Sequence, residues 1–228
     1  VIFLDCGRSL SSFHTTLLAS VSLAVLGLAA VLFLLLIAAL KIIDVQPIGP
    51  QGSEVGFATL NGAFHRLTGV NMTWYDITGA LGMAAIAVAC GFSLFGLWQL
   101  IKRRSLKRVD RDIYALAGLY IAIGIVYVLF EKAVVNYRPV DMGAGLEPSF
   151  PSSHTMLTCC IMSSAIWQFK RRIKSEALRK TTVILCTAVM AVTIAGRLVS
   201  GVHWMTDIAG GVLISASLME FYRAAAIR

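Results

Sequence analysis

The sequence predicts an all-α integral membrane protein with six transmembrane helices and both termini in the cytoplasm. Of its 228 residues, 57% are hydrophobic and only 14% are charged, whereas a soluble domain carries about 25% charged residues. The net charge of +8 would suit a nucleic-acid-binding protein, but the lysines and arginines stand in short tracts between long apolar runs, which is typical of membrane loops. We therefore expect the bilayer, and no nucleic acid, as a partner.

Six apolar runs are long enough, alone or with their flanks, to be membrane spans. A hydrocarbon core of about 30 Å takes about 20 helical residues at 1.5 Å each. The runs cover residues 17–40, 77–101, 113–130, 155–169, 181–195 and 208–222. The first run is too long for the apolar region of a signal peptide and precedes no small-residue cleavage pattern, so we expect it to be retained.

The fourth and fifth runs are shorter than the bilayer requires. At 15 residues each reaches only about 22 Å, so both helices must extend into their flanks, back to Ser152 or on through Arg197. Their outer ends then place polar residues within the membrane boundary. Polar residues at that depth predict a functional site.

Two basic tracts determine the predicted orientation. They lie at 102–111, between the second and third spans, and at 170–180, between the fourth and fifth. Cytoplasmic loops carry an excess of Lys and Arg, and this arrangement puts 15 basic residues inside and 5 outside. Contact with anionic lipids is a second role that such tracts can have. We expect a multi-pass protein of the cell membrane.

The outer connection at 44–76 is the longest loop and is predicted to contain a short helix lying flat on the outer surface. Ser53 and Glu54 would cap this helix, because apolar residues recur at helical spacing over 55–67. Trp74, Tyr75 and Trp204 stand at span entrances, where belt or core packing is expected. We see no repeat and no linker, so residues 1–228 are predicted to form a single domain.

The cysteines do not indicate a disulfide framework or a zinc site. They are odd in number, and four of them lie within apolar stretches. The five are Cys6, Cys90, Cys159, Cys160 and Cys186. The outer loops also lack a carboxylate cluster with the spacing of a divalent-metal site, so no metal and no cofactor is predicted.

Eight polar residues come out on the outer side once the orientation is set. They are Lys132, Arg138, Ser152, Ser153, His154, Arg197, His203 and Asp207. Arginine presents a planar fork to phosphate oxygens and lysine a mobile point charge. Three basic residues on one face, without a matching acidic cluster, therefore predict an anion site.

The segment Pro151-Ser152-Ser153-His154-Thr155 opens the fourth span. Its backbone N–H groups are unpaired helix-start donors with the positive end of the helix dipole behind them, which is a suitable cradle for phosphate. His154 is then in reach of that phosphate. The alternative is structural, with Ser152 as a helix N-cap and His154 as an interfacial polar residue.

The segment from Arg197 to Asp207 suggests a nucleophile. Asp207 follows His203 by four residues, which places the two on one helical face. A carboxylate there can accept an imidazole N–H and fix the tautomer, leaving the other nitrogen free to attack. This pair is a weak signal alone. An arginine six residues upstream and a second histidine make catalysis the favoured interpretation.

These residues resemble the type 2 phosphatidic acid phosphatase superfamily, whose three motifs read Lys-x6-Arg-Pro, Pro-Ser-Gly-His and Ser-Arg-x5-His-x3-Asp. In this chain Ser153 stands in place of the glycine of the second motif, and Gly196 stands in place of the serine of the third. Order, spacing and sidedness agree from Lys132 to Asp207, and the six-span pattern extends the resemblance over the whole chain.

The first motif departs further from the family pattern. Arg138-Pro139 is preceded by Lys132 with only five residues between, and Glu131 holds the position of the family lysine. On a helix these neighbours point about 100° apart, so both cannot face one phosphate. A lysine stem is long enough to recover several ångströms. We therefore predict that Lys132 faces the phosphate and that Glu131 has a structural role.

The resemblance implies metal-independent hydrolysis through a phosphohistidine. In the family the residue matching His203 attacks phosphorus, the residue matching Asp207 orients it, and the residue matching His154 protonates the leaving oxygen and later activates water. The resemblance implies that Arg138, Arg197 and the Ser152–Ser153 region hold the phosphate oxygens, and we expect Lys132 to join them. In-line phosphoryl transfer requires the same division, with nucleophile and acid on opposite sides of phosphorus and cations around it.

We predict an enzyme that hydrolyses a phosphomonoester or pyrophosphate on a membrane lipid at the extracytoplasmic face. Candidate substrates are phosphatidic acid, phosphatidylglycerol phosphate, a polyprenyl pyrophosphate and a phosphorylated sphingoid or glycolipid. The alternative is a transporter or flippase that binds a lipid headgroup without hydrolysis, which would not need both histidines and Asp207. A catalytically silent scaffold is a further alternative, and the spans exclude the soluble haloperoxidase relatives.

Overall fold

The computed structural model describes residues 27–143 and 145–227, and this part of the chain forms a bundle of α-helices. The helices are α1 (Gly27–Ile42), α2 (Ala58–Thr68), α3 (Met72–Arg103), α4 (Arg111–Lys132), α5 (Ser153–Arg172), α6 (Glu176–Ser200) and α7 (Met205–Ile227). Two isolated antiparallel bridges, Gln46 with Val55 and Tyr137 with Pro148, join loop segments. The predicted all-α class is confirmed.

Three of the described helices, α3, α4 and α6, are long and apolar enough to cross a membrane, and α1 is a shorter apolar helix. Helices α5 and α7 contain 20 and 23 residues, which span about 30 and 34 Å, but both carry buried polar residues along their length. Residues 17–26 of the first predicted span, and the amino terminus, lie outside the described residues.

The two short predicted spans extend into their flanks as expected. Ser152 is the N-cap of α5 and its side chain accepts from the N–H of Thr155, so α5 begins directly after the serine as a capped helix. Helix α6 continues through Arg197 to Ser200, where Gly201 in the left-handed conformation (φ 64°) ends it. Polar residues therefore stand at the ends of both helices.

Helix α5 is the centre of the bundle and packs against α3, α6 and α7. Ten of its 20 residues are buried, whereas many large apolar side chains of α3 and α4 are exposed on the outside of the bundle. A helix buried on several faces carries small and polar residues without contact with lipid. Exposed leucine, isoleucine and valine on the surrounding helices form the apolar exterior that a bilayer requires.

The surface helix α2 begins at Ala58, so the prediction of a cap at Ser53–Glu54 is wrong. Val55 exchanges backbone hydrogen bonds with Gln46 (2.9 and 3.1 Å), and Phe57 lies in the left-handed region at φ 49°. The chain therefore stays extended through residue 55 and turns into the helix two residues later. Local spacing could not predict a pairing with a segment nine residues upstream.

Aromatic contacts tie α1 to the start of α5. Phe33 stacks on Phe150 (5.8 Å between ring centroids) and meets the edge of Phe130 (5.7 Å), and Lys41 Nζ donates to the carbonyl of Val135 (3.0 Å). Helix α4 ends, and α5 begins, beneath this cluster. The predicted site lies at this end of the bundle, and the two basic loops lie at the other end.

Candidate active site

Seven of the eight predicted site residues converge where α4 and α6 end and α5 and α7 begin. His203 lies in the short connection between α6 and α7, and Asp207 lies in the first turn of α7. The backbone N–H of Ser152 donates to the carbonyl of Asp207 (3.0 Å), which joins the start of α5 to the start of α7. Arg138 lies in the connection between α4 and α5, at the same end of the bundle.

Asp207 is fully buried and held from two sides. Its Oδ2 accepts from the backbone N–H of Trp204 (3.0 Å) and its Oδ1 from Asn136 Nδ2 (3.3 Å). The Trp204 contact is a helix-capping interaction, in which an acid in the first turn reaches back to the cap N–H. Oδ2 lies 3.6 Å from His203 Nδ1, which is longer than a hydrogen bond. The carboxylate therefore faces the imidazole without a hydrogen bond to it.

The other side of the His203 ring identifies its tautomer. Arg138 Nη1 lies 3.3 Å from His203 Nε2. A guanidinium has only donors, so Nε2 must present its lone pair and the proton must reside on Nδ1, facing Asp207. The structure places Asp207 beside one ring nitrogen, without the predicted hydrogen bond, and Arg138 beside the other.

The surroundings of His203 favour its neutral form. Burial lowers the pKa of His203; Asp207 acts in the opposite direction, Arg138 and Arg197 lower it further, and the net shift is downward. A neutral imidazole is the form that can attack phosphorus. The site therefore keeps its candidate nucleophile ready at pH values where an ordinary histidine is partly protonated.

Arg197 is a fully buried cation without a hydrogen-bonded partner. Its side chain is 0% exposed, and Nε, Nη1 and Nη2 all lack a partner among the described residues. Its guanidinium carbon lies 4.6 Å from the ring centroid of Tyr75, which is a cation–π contact. Burial of an unpaired charge is costly, so an anion is the natural partner of this group.

Helix α5 brings His154 beside the same cations. His154 interacts electrostatically with Arg197, His203 and Arg138, and its buried Nδ1 has no hydrogen-bond partner in the part of the chain that the structure describes. Met156 N donates to Ser152 O in the first turn of the helix, and the N–H groups of Ser153 and His154 precede that bond. The start of α5 therefore lies among the two arginines and the two histidines, which interact electrostatically.

Ser152 has the structural role that the sequence left open. It is fully buried, and its hydroxyl oxygen accepts from Thr155 Oγ1 (3.1 Å) and, more weakly, from Thr155 N (3.5 Å). Ser153, the neighbour that replaces the motif glycine, lines the pocket that contains His203. The segment thus presents Ser153 to the pocket while Ser152 caps the helix.

Lys132, the eighth predicted site residue, is the last residue of α4. Glu131 and Lys132 are both exposed in the last turn of α4. Glu131 lines the pocket together with Arg138 and His203, and Lys132 is not among the lining residues. The contact of Lys132 with a phosphate stays a prediction.

Two cavities meet at the site. The polar pocket of Arg138 and His203 shares Tyr127, Ser153 and Met156 with an apolar groove of about 340 Å³ that contains His154. Residues of α3, α4 and α5 line this groove. Within residues 27–143 and 145–227, no group of three or more His, Cys, Asp or Glu side chains could hold a metal ion.

Sequence reasoning missed three residues that support the site. They are Asn136, which donates to Asp207, Tyr75, which lies under Arg197, and Glu147, which pairs with Arg138 at 2.8 Å between Oε2 and Nε. Tyr75 was assigned to belt or core packing. Glu147 lies in the connection between α4 and α5, where Arg138 N also donates to its carbonyl (3.0 Å). No motif spacing marks any of the three.

Comparison with known proteins identifies the family and the fold. The model of the PAP2 superfamily matches residues 6–225. The fold is similar to the crystal structure of a transmembrane PAP2-type phosphatidylglycerolphosphate phosphatase from Bacillus subtilis, with a TM-score of 0.61, 16% sequence identity, and coverage of 87% of this chain and 94% of that chain. No curated protein sequence matches the chain. Because the family model covers nearly all 228 residues, the chain belongs to the PAP2 superfamily.

Proposed function

We propose that this chain removes a terminal phosphate from a membrane lipid through a phosphohistidine on His203, at the extracytoplasmic face of the cell membrane. Membership of the superfamily supports a lipid phosphatase. The single observation that carries the proposal is Arg197, a fully buried guanidinium with three unpartnered nitrogens beside two histidines. A phosphate group supplies the missing anion and places phosphorus next to His203.

The proposed reaction has two steps. Nε2 of His203 attacks phosphorus, the bond from phosphorus to the lipid oxygen breaks, and His154 donates a proton to that oxygen. His154 then takes a proton from water, the water oxygen attacks phosphorus, and the bond from phosphorus to Nε2 breaks. Asp207 keeps the proton on Nδ1 and stabilises the positive ring that forms. Inorganic phosphate and a dephosphorylated lipid are the products.

The phosphate is proposed to bind to Arg138, Arg197 and the N–H groups at the start of α5. Arg138 shifts its Nη1 donor from Nε2 of His203 to a phosphate oxygen, which frees the lone pair for attack. These groups surround the phosphate with positive charge, so we propose a reaction that needs no metal. Activity is expected to survive chelation and to fall with vanadate, which mimics the five-coordinate phosphorus.

Lys132 is proposed to reach the phosphate only along its flexible stem. Because its side chain is exposed at the end of α4, Lys132→Ala is expected to reduce kcat/KM by about tenfold or less. Arg197→Ala removes several charge-assisted contacts and is expected to cost about a hundredfold or more. Equal losses for the two variants would assign Lys132 a direct contact.

The substrate is proposed to be a lipid because an apolar groove leads away from the catalytic residues. Gly79, Gly82 and Met83 of α3 form one wall, and Ile123 and Gly124 of α4 form another. A Cβ atom at Gly79 or Gly124 would meet no described atom within 4 Å. Close helix packing therefore does not require glycine at these positions, and the missing side chains leave space in the groove. An acyl or prenyl chain fits a channel of this chemistry.

We also propose that the chain forms a single domain of six transmembrane spans with both termini in the cytoplasm. The site and the basic loops are at opposite ends of the bundle, so a cytoplasmic position for those loops puts the site on the outer side. There the phosphate of a lipid lies at headgroup depth while its tail stays in the bilayer.

Phosphate release from purified lipids tests the function. The wild-type protein in mixed micelles should release phosphate from at least one of phosphatidic acid, phosphatidylglycerol phosphate, a polyprenyl pyrophosphate and a sphingoid phosphate. Arg197→Ala should lose this activity, and Arg66→Ala, a change at an exposed arginine of α2, should keep it. Binding of these lipids without release of phosphate would favour the transporter alternative instead.

A further inference from the structure

Glu131 stands where a phosphatase pocket would be expected to carry a positive charge. It lies in the last turn of α4 and shares the lining of the polar pocket with Arg138 and His203. A carboxylate in that position repels a phosphate dianion. Glu131 is exposed, so water satisfies its carboxylate until a lipid headgroup displaces that water and must supply a hydrogen-bond donor in its place.

Arg138 is not that partner. Its guanidinium is already paired with Glu147 at 2.8 Å, and its Nη1 faces Nε2 of His203. In the described part of the chain, Glu131 interacts with Tyr127, one helical turn earlier. A carboxylate has about four acceptor sites, and one phenol hydroxyl uses one of them. Glu131 therefore keeps acceptor capacity that faces the pocket.

The order of residues along α4 indicates which part of a bound lipid reaches the spare acceptor sites of Glu131. Ile123 and Gly124 line the apolar groove, Tyr127 lines both the groove and the polar pocket, and Glu131 lines only the polar pocket. A lipid whose tail lies along Ile123 and Gly124 has its headgroup at Tyr127 and Glu131. The atoms that reach Glu131 are then those bonded closest to the phosphate ester.

We propose that Glu131, with Tyr127, forms a headgroup subsite that selects lipid phosphates carrying a hydroxyl or ammonium group next to the phosphate ester. Such a donor satisfies the spare carboxylate oxygens and offsets the repulsion of the phosphate. A lipid phosphate that lacks the donor displaces water from the carboxylate without replacing its hydrogen bond, which lowers the affinity for that lipid. This inference rests on the phosphatase function proposed above.

Two lipids that differ only in the donor test the proposal. The first is a 1-acyl-glycerol 3-phosphate, whose hydroxyl lies next to the phosphate-bearing carbon, and the second is its 2-O-methyl ether. The wild-type kcat/KM for the hydroxyl lipid should exceed that for the ether by about tenfold or more. Glu131→Ala and Glu131→Lys should bring this ratio close to one, and Glu131→Lys should increase the rate with the ether.

Glu54→Lys is the matched control, since it makes the same change of charge at an exposed residue of the outer loop and should keep the wild-type ratio. A wild-type ratio near one, or a ratio that both Glu131 variants leave unchanged, would overturn the subsite while the phosphatase function stands. Absence of phosphate release from every lipid would overturn both. The Ala variant guards against a folding defect of the Lys variant, and a single symmetric peak in size-exclusion chromatography checks each protein.

Discussion

At the scale of single residues, the chemistry depends on how His203 is surrounded. Spacing alone predicted that Asp207 faces this ring, and the two side chains do face each other at 3.6 Å. Spacing could not predict that Asn136 donates a hydrogen bond to Asp207, because these two residues are 71 positions apart. The same carboxylate also accepts from the backbone N–H of Trp204. The tautomer likewise depends on Arg138, which approaches from another connection.

The pH dependence of kcat/KM should report the lowered pKa of His203. The neutral form attacks, and burial lowers the pKa below the ordinary value of about 6.5. Activity should therefore persist below pH 6.5 and disappear as the pH falls through the lowered pKa. Asp207→Asn removes a charge that raises this pKa, so its acid limb should move to still lower pH while kcat falls by about a hundredfold or more. An acid limb that moves to higher pH in this variant would contradict the assignment.

A second residue explains one departure from the family motif. Gly196 stands where the motif has serine, and a Cβ atom there would lie 2.5 Å from Thr78 Cγ2 and 3.0 Å from Trp74 Cε3. Helix α3 therefore approaches α6 too closely for any side chain at this position. The same approach brings Tyr75 beneath Arg197, so the glycine is linked to the cation–π contact of the site.

At the scale of helices, the apolar runs predicted correctly that each helix exists but did not predict where it begins and ends. Each of the five later spans has a helix over the predicted residues, extended by two to five residues at either end, because caps and polar flanks continue the backbone hydrogen bonding beyond the apolar run. The start of α2 was wrong because a bridge between Gln46 and Val55 competes with the predicted cap. Such pairings are not visible in local periodicity.

The contact between α3 and α5 positions His154, and one methyl group should disturb it. A Cβ atom at Gly82 would lie 3.2 Å from Cδ2 of His154, which is tighter than an ordinary contact. Gly82→Ala should displace the ring and reduce the rate of phosphoenzyme formation from natural lipids by about tenfold, with less effect on this rate for substrates whose leaving group needs no proton. Gly91→Ala is the control on the same helix, since its Cβ meets nothing within 4 Å. Equal loss with both substrate types would argue against His154 as the acid.

The opposite end of the bundle is held by an ion pair between α4 and α5. Asp112, nearly buried, binds Arg172 through Oδ2 to Nη1 (2.8 Å) and Oδ1 to Nη2 (3.1 Å). Asp112→Asn should lower the free energy of unfolding by about 2 kcal/mol or more, or Tm by roughly 5 °C. Lys180→Ala, which breaks an exposed pair with Glu176, should change Tm little. A similar Tm for both variants in thermal unfolding would contradict this role.

At the scale of the whole molecule, the site exists only because distant segments meet at one end of the bundle. The sequence predicted that the eight residues share one side of the membrane, since sidedness follows from the basic loops. It could not predict which helices are neighbours, and so it missed the central position of α5 and the groove between α3, α4 and α5. The contact of Lys132 with the phosphate, which was predicted from spacing, stays a prediction.

The topology makes a prediction for labelling of intact cells. In a variant without native cysteines, a cysteine at Met142, in the connection that carries Arg138, should react with an impermeant maleimide. A cysteine at Ser175, in the basic loop before α6, should react only after the membrane is opened. The reverse pattern would invert the topology and put the site on the cytoplasmic side.

The central claim is that His203 becomes covalently phosphorylated during turnover, and trapping that intermediate tests it most directly. The enzyme would be mixed with a lipid carrying labelled phosphate and quenched in base, because phosphohistidine is labile in acid. Peptide mapping by mass spectrometry should locate the phosphate on His203 in the wild-type protein and find none in His203→Ala, while His154→Ala should accumulate the intermediate when the leaving group needs no proton. Label on His154, or label that persists in His203→Ala, would contradict the account.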